Sequence, residues 1–288
     1  MSHWHIGVIG GSGLAGGVGL EDAQEIAVES PFGAPSAAVT TGTLAGVRVT
    51  FLPRHGIGHA IPPASVNYRA NIDVLKRCGV TDVIALSAIG SLRADMAPGQ
   101  MVAVNQFIDR TVSRPASFFG PGLVAHVSLA DPVCPRLADG LADAVDAEEA
   151  TVHRGGTYVA IEGPQFSTRA ESRLYRKWGG DVIGMTAMPE ARLAREAELP
   201  YALLGMVTDY DAWRASEAGV EAGEVLAVMA ANVALAGKVL RRFMASLPQV
   251  RSASPIDQAL DHAIMTAPAA RDPVLLAKLG AVAGRVLA

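Results

Sequence analysis

Short apolar runs separated by helical patterns recur along this chain of 288 residues. Such runs are typical of strands that are buried on both faces of a parallel sheet. They lie at 6–9, 47–52, 82–87, 101–104, 158–161, 181–183 and 201–207. Because strands alternate with helical patterns, we predict an α/β fold: a single domain with a twisted, largely parallel central sheet flanked by helices on both faces.

Segments between these runs carry the signals of helices. The predicted helices lie at 66–76, 168–178, 189–198 and 221–245. The second opens on a capping box formed by Thr168 and Glu171. After Pro248 the chain becomes loop-like and then apolar. We therefore predict one domain over 1–288, with a core at 1–248 and a C-terminal extension at 249–288 that packs on the body or on a neighbouring subunit.

Composition narrows the class of protein. Hydrophobic residues make up 50% of the chain and charged residues 18%, which favours a homo-oligomer with surface buried between subunits. The net charge of −4 without a basic cluster argues against nucleic acid as a partner. No apolar run approaches the ~20 residues of a membrane helix, and the N-terminus lacks the features of a signal peptide. Two cysteines, Cys78 and Cys134, fit neither a disulfide framework nor a metal site, so we expect a cytoplasmic protein.

The segment Thr208-Asp209-Tyr210-Asp211 directly follows the apolar run at 201–207. Ligands of open α/β sheets bind at the carboxyl ends of the strands. Side chains two residues apart share a face if strand geometry persists, and one member of a buried Asp pair tends to be protonated. Such a pair offers a donor to N7 and an acceptor to the amine of adenine. An Asx turn that closes the strand is the plainer alternative.

A glycine-rich loop follows the first predicted strand. Gly11, Gly13 and Gly16 satisfy the spacing of a dinucleotide fingerprint, which makes a nicotinamide-dependent oxidoreductase the alternative of a different class. The glycine run continues where that fingerprint needs a helix to begin, and glycine is a poor helix former. An anion-binding loop, in which backbone N–H groups and the Ser12 hydroxyl face a phosphate, is the favoured interpretation.

Phosphate-competent groups also follow two other predicted strands. Arg54 and His55 come after the strand at 47–52, and Ser87 and Ala88 end the strand at 82–87. Arginine offers a planar fork of donors to phosphate, and free backbone N–H groups can add to it. Taken alone, the Arg54-His55 pair is typical of an ordinary surface, and the segment that begins at Ser87 is typical of a glycine turn. Three strand ends with such groups together indicate an anion site.

Two further loops carry candidates for contact with an organic ligand. Phe166 and Ser167 precede the capped helix, and an aromatic side chain there could stack on a base or simply join the core. Met185 and Thr186 join a predicted strand to a predicted helix, where methionine usually fills gaps in a core.

Taken together, these stretches resemble the methylthioadenosine phosphorylases within the trimeric purine nucleoside phosphorylase family. The matching segments are 9–14, 54–56 with His59, 63–71, 87–92, 106–111, 162–171, 185–190 and 208–213. The resemblance spans about residues 6 to 248 in order. Relatives that prefer 6-oxopurines have a Glu near Ser167 and an Asn near Asp209, and neither substitution is present.

The resemblance implies a role for each matching residue. Phosphate is expected to bind Ser12, Arg54, His55, Ser87, Ala88 and Thr186. The nucleoside is expected to contact Phe166, Ser167, Met185, Asp209 and Asp211, with Ala222 and Val225 lining the 5′ pocket and His126 lent by a neighbouring subunit. Asp209 is the expected catalytic residue, which delivers a proton to N7.

The implied reaction is the phosphorolysis of S-methyl-5′-thioadenosine to adenine and 5-methylthioribose 1-phosphate, a step of methionine and purine salvage. Inorganic phosphate is then a co-substrate and no cofactor is expected. A broader phosphorylase of adenosine, 5′-deoxyadenosine or methylthioinosine is the alternative within the family, and a nucleoside-binding module without turnover is a plainer one. The resemblance also implies a homotrimer, with a dimer of trimers left open.

Overall fold

The computed structural model describes residues 3–11, 19–214 and 222–287, without the side chains of residues 222 and 224–227. Within that part of the chain, eleven strands form one sheet. The strands are β1 His5–Gly10, β2 Glu21–Ile26, β3 Val39–Leu44, β4 Val47–Pro53, β5 Asp82–Ser91, β6 Met101–Val104, β7 Gln106–Asp109, β8 Val152–Arg154, β9 Thr157–Ala160, β10 Val182–Gly184 and β11 Tyr201–Asp209. The helices are α1 Tyr68–Arg77, α2 Pro135–Asp146, α3 Arg169–Lys177, α4 Ala187–Glu196, α5 Ala222–Ser246, α6 Pro273–Lys278 and α7 Gly280–Leu287. Short 3-10 helices lie at Ile57–His59, Pro63–Ser65, Pro255–Gln258 and Pro268–Ala270.

The strand β5 is the centre of the sheet. One path runs β2-β3-β4-β1-β5-β10-β9-β7, and β11, β6 and β8 continue from β5 on another branch. Strands β4, β1, β5 and β11 run parallel, as do β10, β9 and β7. The fold is therefore the predicted one, a mixed α/β domain with a mostly parallel sheet.

The sheet forks along β5. Strand β11 pairs with β5 from Val83 to Gly90. On the opposite edge, β1 pairs only with residues 82–85 and β10 only with residues 90–91. The strands β1 and β10 therefore leave residues 86–89 of β5 between them. Divergence of neighbouring strands at carboxyl ends creates the crevice in which α/β sheets bind ligands.

Helices cover both faces of the sheet and bury two apolar clusters. On one face, Leu75 of α1 and Leu193 of α4 pack with Val83 and Leu203 of the sheet. On the other face, α2 and α5 pack on strands β1, β5 and β11. The C-terminal extension joins the first face, since Leu279 and the α7 residues are buried in the same cluster as α1.

Several elements were not among the predicted ones. Strand β2 has all of its residues exposed, so it has no apolar alternation to mark it. The prediction also missed strands β3, β7 and β8 and helix α2. By contrast, the capping box at Thr168 is confirmed, with Glu171 N–H donating to Thr168 Oγ1 at 3.2 Å.

The dinucleotide fingerprint lacks its structural context. The element that follows the glycine run is strand β2, which pairs antiparallel with β3, and β3 in turn pairs antiparallel with β4. In the described residues no helix connects β1 to its parallel neighbour β4. A dinucleotide-binding unit needs such a helix, because its N-terminus receives the pyrophosphate. The oxidoreductase alternative is therefore disfavoured. In the same part of the chain, no helix is long and apolar enough to cross a membrane.

Candidate active site

A cavity of about 470 Å³ opens at the fork of the sheet. Its lining comes from the ends of β1, β4, β5, β9, β10 and β11 and from the loops after them. The predicted site residues that line it are Arg54, His55, Ser87, Ala88, Phe166, Met185, Thr186, Asp209 and Asp211. Residues from five distant stretches of the chain thus converge on one space, which is large enough for a small organic ligand.

One end of the cavity is built around Arg54, whose exposed fraction is 1%. Its Nε and Nη2 donate to the two carboxylate oxygens of Glu190 at 2.7 and 3.0 Å, and its Nη1 donates to Leu86 O at 3.1 Å. Tyr201 donates a further hydrogen bond to Glu190 at 2.9 Å. This bidentate pair fixes the guanidinium plane before any ligand binds. One N–H of Nη1 and one of Nη2 are left for a ligand.

His55 lies beside Arg54 and lines the same end. Its Nδ1 is 2.9 Å from Ile61 O, and because a carbonyl only accepts, Nδ1 carries the proton. Burial, and then the positive charge of Arg54, lower the pKa of His55 to about 4. The neutral ring is also stacked on His59 at 4.3 Å between centroids. Its Nε2 is therefore an acceptor near neutral pH.

Two hydroxyls complete this end. Ser87 Oγ and Thr186 Oγ1 lie 3.2 Å apart, one at the fork of β5 and the other at the start of α4. Behind them the hydroxyl of Tyr158 accepts from Thr186 N–H at 3.3 Å. Gly184 makes room for that hydroxyl, since a Cβ at Gly184 would lie 2.1 Å from it. The end defined by Arg54, His55, Ser87 and Thr186 is called the anion end below.

The aspartate pair lies at the carboxyl end of β11. Asp209 Oδ2 accepts from Thr208 Oγ1 at 2.7 Å, and Oδ1 accepts from Asp211 N–H at 2.8 Å. Asp211 has a φ of 49°, so the strand geometry expected through this segment ends at Asp209. Both side chains still line the cavity. A Cβ at Gly90 would lie 2.9 Å from Asp209 Oδ1, so only glycine allows this close approach.

Three buried polar atoms lie close together at this pair, and one of them belongs to Asp211. They are Asp211 Oδ2, Ser167 Oγ and Ser172 Oγ, and none has a hydrogen-bond partner of good geometry within the described residues. Burial raises the pKa of Asp211, the nearby Ser172 and Ser167 hydroxyls oppose the rise, and the negative charge of Asp209 adds to it. From the sequence we place the proton on Asp209, whereas burial favours it on Asp211.

Between the two ends the lining is largely apolar. Phe166, with 44% of its surface exposed, lies in the base loop, a name used here for residues 161–166. Met185 lies in the ribose segment, a name used for residues 184–188. The base loop and the ribose segment are close to each other, because a Cβ at Gly163 would lie 2.5 Å from the Met185 sulfur. An aromatic face and a thioether suit a flat, partly apolar ligand.

Not every predicted residue is found at the cavity. Ser12 lies outside the described residues, as do the side chains of Ala222 and Val225. Ser167 is near Asp211 but does not line the cavity. His126 is exposed, away from the cavity of its own chain, and its N–H donates to Ala263 O at 2.8 Å. A role for His126 in a neighbouring subunit therefore stays a prediction.

Two residues of the site were missed from the sequence. Glu190 anchors Arg54 from a position 136 residues away. Arg114 is buried beside the base loop and the ribose segment, with its Nε 2.8 Å from Glu162 Oε1. A buried cation needs an acidic partner, so each Arg near the predicted motifs could have been searched for one. The sequence does not say which acid it would be.

Comparison with known proteins agrees with this geometry. The model of the phosphorylase superfamily matches residues 5–245. The chain belongs to this superfamily. An S-methyl-5′-thioadenosine phosphorylase of Cereibacter sphaeroides is 57% identical over 98% of both chains, and one of Bradyrhizobium diazoefficiens is 54% identical over 100% of this chain and 99% of the relative.

Solved structures of related phosphorylases superpose on most of the chain. A methylthioadenosine phosphorylase from an Antarctic soil metagenomic library has a TM-score of 0.91 and 43% identity, covering 98% of this chain and 99% of its own. The S12T mutant of the adenosine/methylthioadenosine phosphorylase of Schistosoma mansoni, solved with methylthioadenosine, has a TM-score of 0.79 and 37% identity, covering 84% of this chain and 91% of its own. The predicted family and fold are confirmed.

Proposed function

We propose that this phosphorylase superfamily member is a pentosyltransferase that converts S-methyl-5′-thioadenosine and inorganic phosphate to adenine and 5-methylthioribose 1-phosphate. The observation that carries the proposal is one cavity that is lined by the residues of the anion end, by the aspartate pair, and by Met185 and Phe166. Relatives named S-methyl-5′-thioadenosine phosphorylase, at 57% and 54% identity over nearly the full length, support it.

The anion end is suited to hold phosphate beneath C1′ of the ribose. Arg54 offers two N–H groups, Ser87 and Thr186 offer hydroxyls, and the glycine loop with Ser12 and the Ala88 backbone would add donors. Because the charge of Arg54 is balanced by Glu190, phosphate is bound chiefly through directed hydrogen bonds. His55 Nε2 can accept a hydrogen bond from the P–O–H group of a phosphate monoanion or dianion. Fixing the nucleophile in place lowers the barrier by removing its motional freedom.

The reaction breaks the glycosidic bond as phosphate approaches C1′, with positive charge developing on the ribose. The electron pair of the broken bond goes to the purine, and a proton delivered to N7 neutralises it. The proton comes from the Asp209–Asp211 pair, with Asp209 proposed as the carboxyl against N7 and Asp211 as the acceptor for the amine. No covalent intermediate on the enzyme is needed. General acid catalysis of this kind contributes about 10²–10⁴ in rate.

A broader substrate range is the second candidate. The Schistosoma mansoni relative is named an adenosine/methylthioadenosine phosphorylase, at 37% identity. Adenosine, 5′-deoxyadenosine and methylthioadenosine differ only at the 5′ position. The described residues near the cavity that are not assigned to phosphate or base include Pro63, His59 and Met229, a mainly apolar set. An apolar 5′ slot favours the thioether over the hydroxyl of adenosine.

The deciding experiment follows adenine release from methylthioadenosine by chromatography, with and without phosphate. We expect release only with phosphate, together with one equivalent of 5-methylthioribose 1-phosphate. Release without phosphate, giving free methylthioribose, would identify a hydrolase and contradict the proposal. If methylthioadenosine binds but no adenine is released, the protein is a nucleoside-binding module and not an enzyme. The kcat/KM values of adenosine, 5′-deoxyadenosine and methylthioinosine then define the range.

We further propose that the protein acts as a cytoplasmic homotrimer in which His126 reaches the 5′ side of a neighbouring site. Supporting this, His126 is exposed in the single chain and does not line the cavity of that chain. Sedimentation gives the oligomeric state and distinguishes a trimer from a dimer of trimers. A fully active monomer, or a His126→Ala variant with an unchanged KM for methylthioadenosine, would contradict the role of His126.

A further inference from the structure

We propose that Arg114 is a positioning residue for the nucleoside, which fixes the base loop against the ribose segment. The proposal rests on the function given above and extends it to a residue outside the cavity lining. Arg114 lies between β7 and α2, in a stretch without regular secondary structure, and 8% of its surface is exposed.

The guanidinium of Arg114 donates to acceptors on both segments. On the base loop, Nε donates to Glu162 Oε1 at 2.8 Å, and Nη2 donates to Glu162 O at 2.6 Å and Ile161 O at 3.3 Å. On the ribose segment, Nη1 donates to Met185 O at 2.6 Å and Met188 O at 2.7 Å. The same Nη1 lies 3.0 Å from the hydroxyl of Tyr68. All five N–H groups of the side chain are therefore used.

The position of Arg114 explains why these contacts matter. Strands β9 and β10 are parallel neighbours, and their last rung is the bond from Ile161 N–H to Gly184 O at 2.9 Å. Beyond that rung the two segments no longer pair as strands, and one leads to Phe166 and the other to Met185. The partly buried carbonyls there have lost their ladder partners, and acceptors without a partner are unfavourable away from water. Arg114 replaces the missing rungs and sets the spacing of the two segments.

A second set of contacts fixes Arg114 itself. The other carboxylate oxygen of Glu162 accepts from the N–H groups of Val112 and Ser113 at 2.6 and 3.2 Å. The stretch 112–114 and the base loop therefore hold each other in place, because Arg114 donates to Glu162 and Glu162 accepts from the backbone of the residues before Arg114. Neither contact involves the partners of Arg54 or His55, which are Glu190, Leu86 and Ile61. Thr186 lies between Met185 and Met188, but it is also held by Ser87 at 3.2 Å. Because Arg54 and His55 keep all of their own partners, loss of Arg114 should act on the nucleoside more than on phosphate.

The test is Arg114→Lys, with Arg251→Lys as a matched control. Lysine keeps the charge but has three donors in place of five, so at least two acceptors lose their partners. We expect kcat/KM for methylthioadenosine to fall at least about tenfold, with KM for phosphate within about twofold. Arg251 is equally buried, pairs with Asp82 and Asp257, and lies at the other end of β5. Its lysine variant should lose thermal stability with kinetic constants within about twofold.

Two further measurements separate positioning from folding. Calorimetry should show weaker binding of adenine to Arg114→Lys, and the thermal midpoint reports its stability. If Arg114→Lys does not fold, Glu162→Gln weakens the same link while keeping the backbone acceptors, and should raise KM for methylthioadenosine. Equal losses toward nucleoside and phosphate, or a loss of stability alone, would overturn the proposal. Failure of the proposed function is distinct, because the unmodified protein would then show no phosphate-dependent release of adenine.

Discussion

The two ends of the cavity differ in how far their polar groups are paired in the absence of ligand. At the anion end, Arg54, Glu190 and Tyr201 form a closed set of hydrogen bonds, and Ser87 meets Thr186. At the base end, Asp211 Oδ2 and the hydroxyls of Ser167 and Ser172 have no partner of good geometry among the described residues. Phe166 is also largely exposed there.

The difference follows from what each end must bind. A buried arginine needs a counter-charge even when no phosphate is bound, since an uncompensated buried ion is strongly destabilising. The anion end therefore carries its own carboxylate and binds phosphate with the donors that remain. At the base end, burial raises the pKa of Asp211, which favours a bound proton where the anion end has a counter-ion. The ligand can then complete its hydrogen bonds with little reorganisation of charge.

Removing Arg54 should produce the largest effect. We expect Arg54→Ala to raise the apparent KM for phosphate about a hundredfold, since each charged hydrogen bond contributes roughly 1.5–3 kcal/mol. KM for nucleoside should change far less. Steady-state kinetics with each substrate varied in turn would measure both values. Equal effects on the two would place Arg54 outside the anion site.

The same variant tests whether the pairing is required for stability. Arg54→Ala leaves Glu190 buried without its cation, which should cost about 3–5 kcal/mol of unfolding free energy. Adding the substitution Glu190→Gln removes the unpaired negative charge that Arg54→Ala leaves behind. The double variant should recover much of the stability and still bind phosphate poorly. If the single and double variants are equally stable, Glu190 is not the counter-charge of Arg54.

Changes in the aspartate pair should have the next largest effect. Asp209→Asn should lower kcat for methylthioadenosine about a hundredfold by removing an acidic proton. In the unmodified protein, methylthioadenosine should be preferred over methylthioinosine by at least about tenfold, because the 6-oxo group faces an acceptor. Asp211→Asn should narrow that gap. If Asp211→Asn lowers kcat more than Asp209→Asn does, Asp211 is the proton donor, as its raised pKa would suggest.

Removing the aromatic ring of the base loop should have a smaller effect. Phe166→Ala should raise KM for nucleoside about tenfold, because stacking of a base on an aromatic ring contributes roughly 1–3 kcal/mol. Phe166→Tyr keeps the ring and is the control, with KM expected to stay within about twofold. Competition by adenine gives an independent measure of base binding. An unchanged KM in Phe166→Ala would show that the exposed ring does not stack on the base.

The sequence predicts the buried half of this fold well because burial leaves a pattern. Strands β1, β4, β5 and β11 are continuous apolar runs, and the polar groups after them stand at the predicted edge of the sheet. Strand β2 leaves no such pattern, since all of its residues are exposed. The left-handed backbone at Asp211 is equally invisible, because strand alternation predicts only that side chains i and i+2 share a face.

Pairings across the fold are harder to predict than positions. The partner of Arg54 lies 136 residues away, and most acceptors of Arg114 are backbone carbonyls, which every residue possesses. Neither pairing has a local signature in the sequence. The candidate residues could therefore be named from strand ends and from the resemblance, whereas the contacts that hold them in place required the folded chain.

The smallest effect concerns Glu196, a partly buried carboxylate that contrasts with Glu190. Its hydrogen bonds come from neutral donors, Ser117 Oγ and Phe118 N–H, both at 2.7 Å. Burial raises the pKa of Glu196 from its ordinary value of 4.5 to about 7. Between these values the folded chain binds a proton that the unfolded chain releases. The contribution of Glu196 to stability is therefore full below about pH 4.5 and is lost as the pH rises through about 7.

Over the same window His5 and His55 act in the opposite direction, because burial lowers the pKa of each to about 4. The contribution of Glu196 is therefore a difference: from pH 8 to pH 5.5, the thermal midpoint of the unmodified protein should rise by a few degrees relative to that of Glu196→Gln, which cannot titrate at this position. Asp95→Asn is the matched control, because Asp95 is exposed and its pKa is lowered by Arg93, which leaves it ionised across this window. Its pH profile should therefore follow that of the unmodified protein. If Glu196→Gln keeps the full pH dependence, other groups cause it, and the segment after Arg114 is not held by a protonated acid.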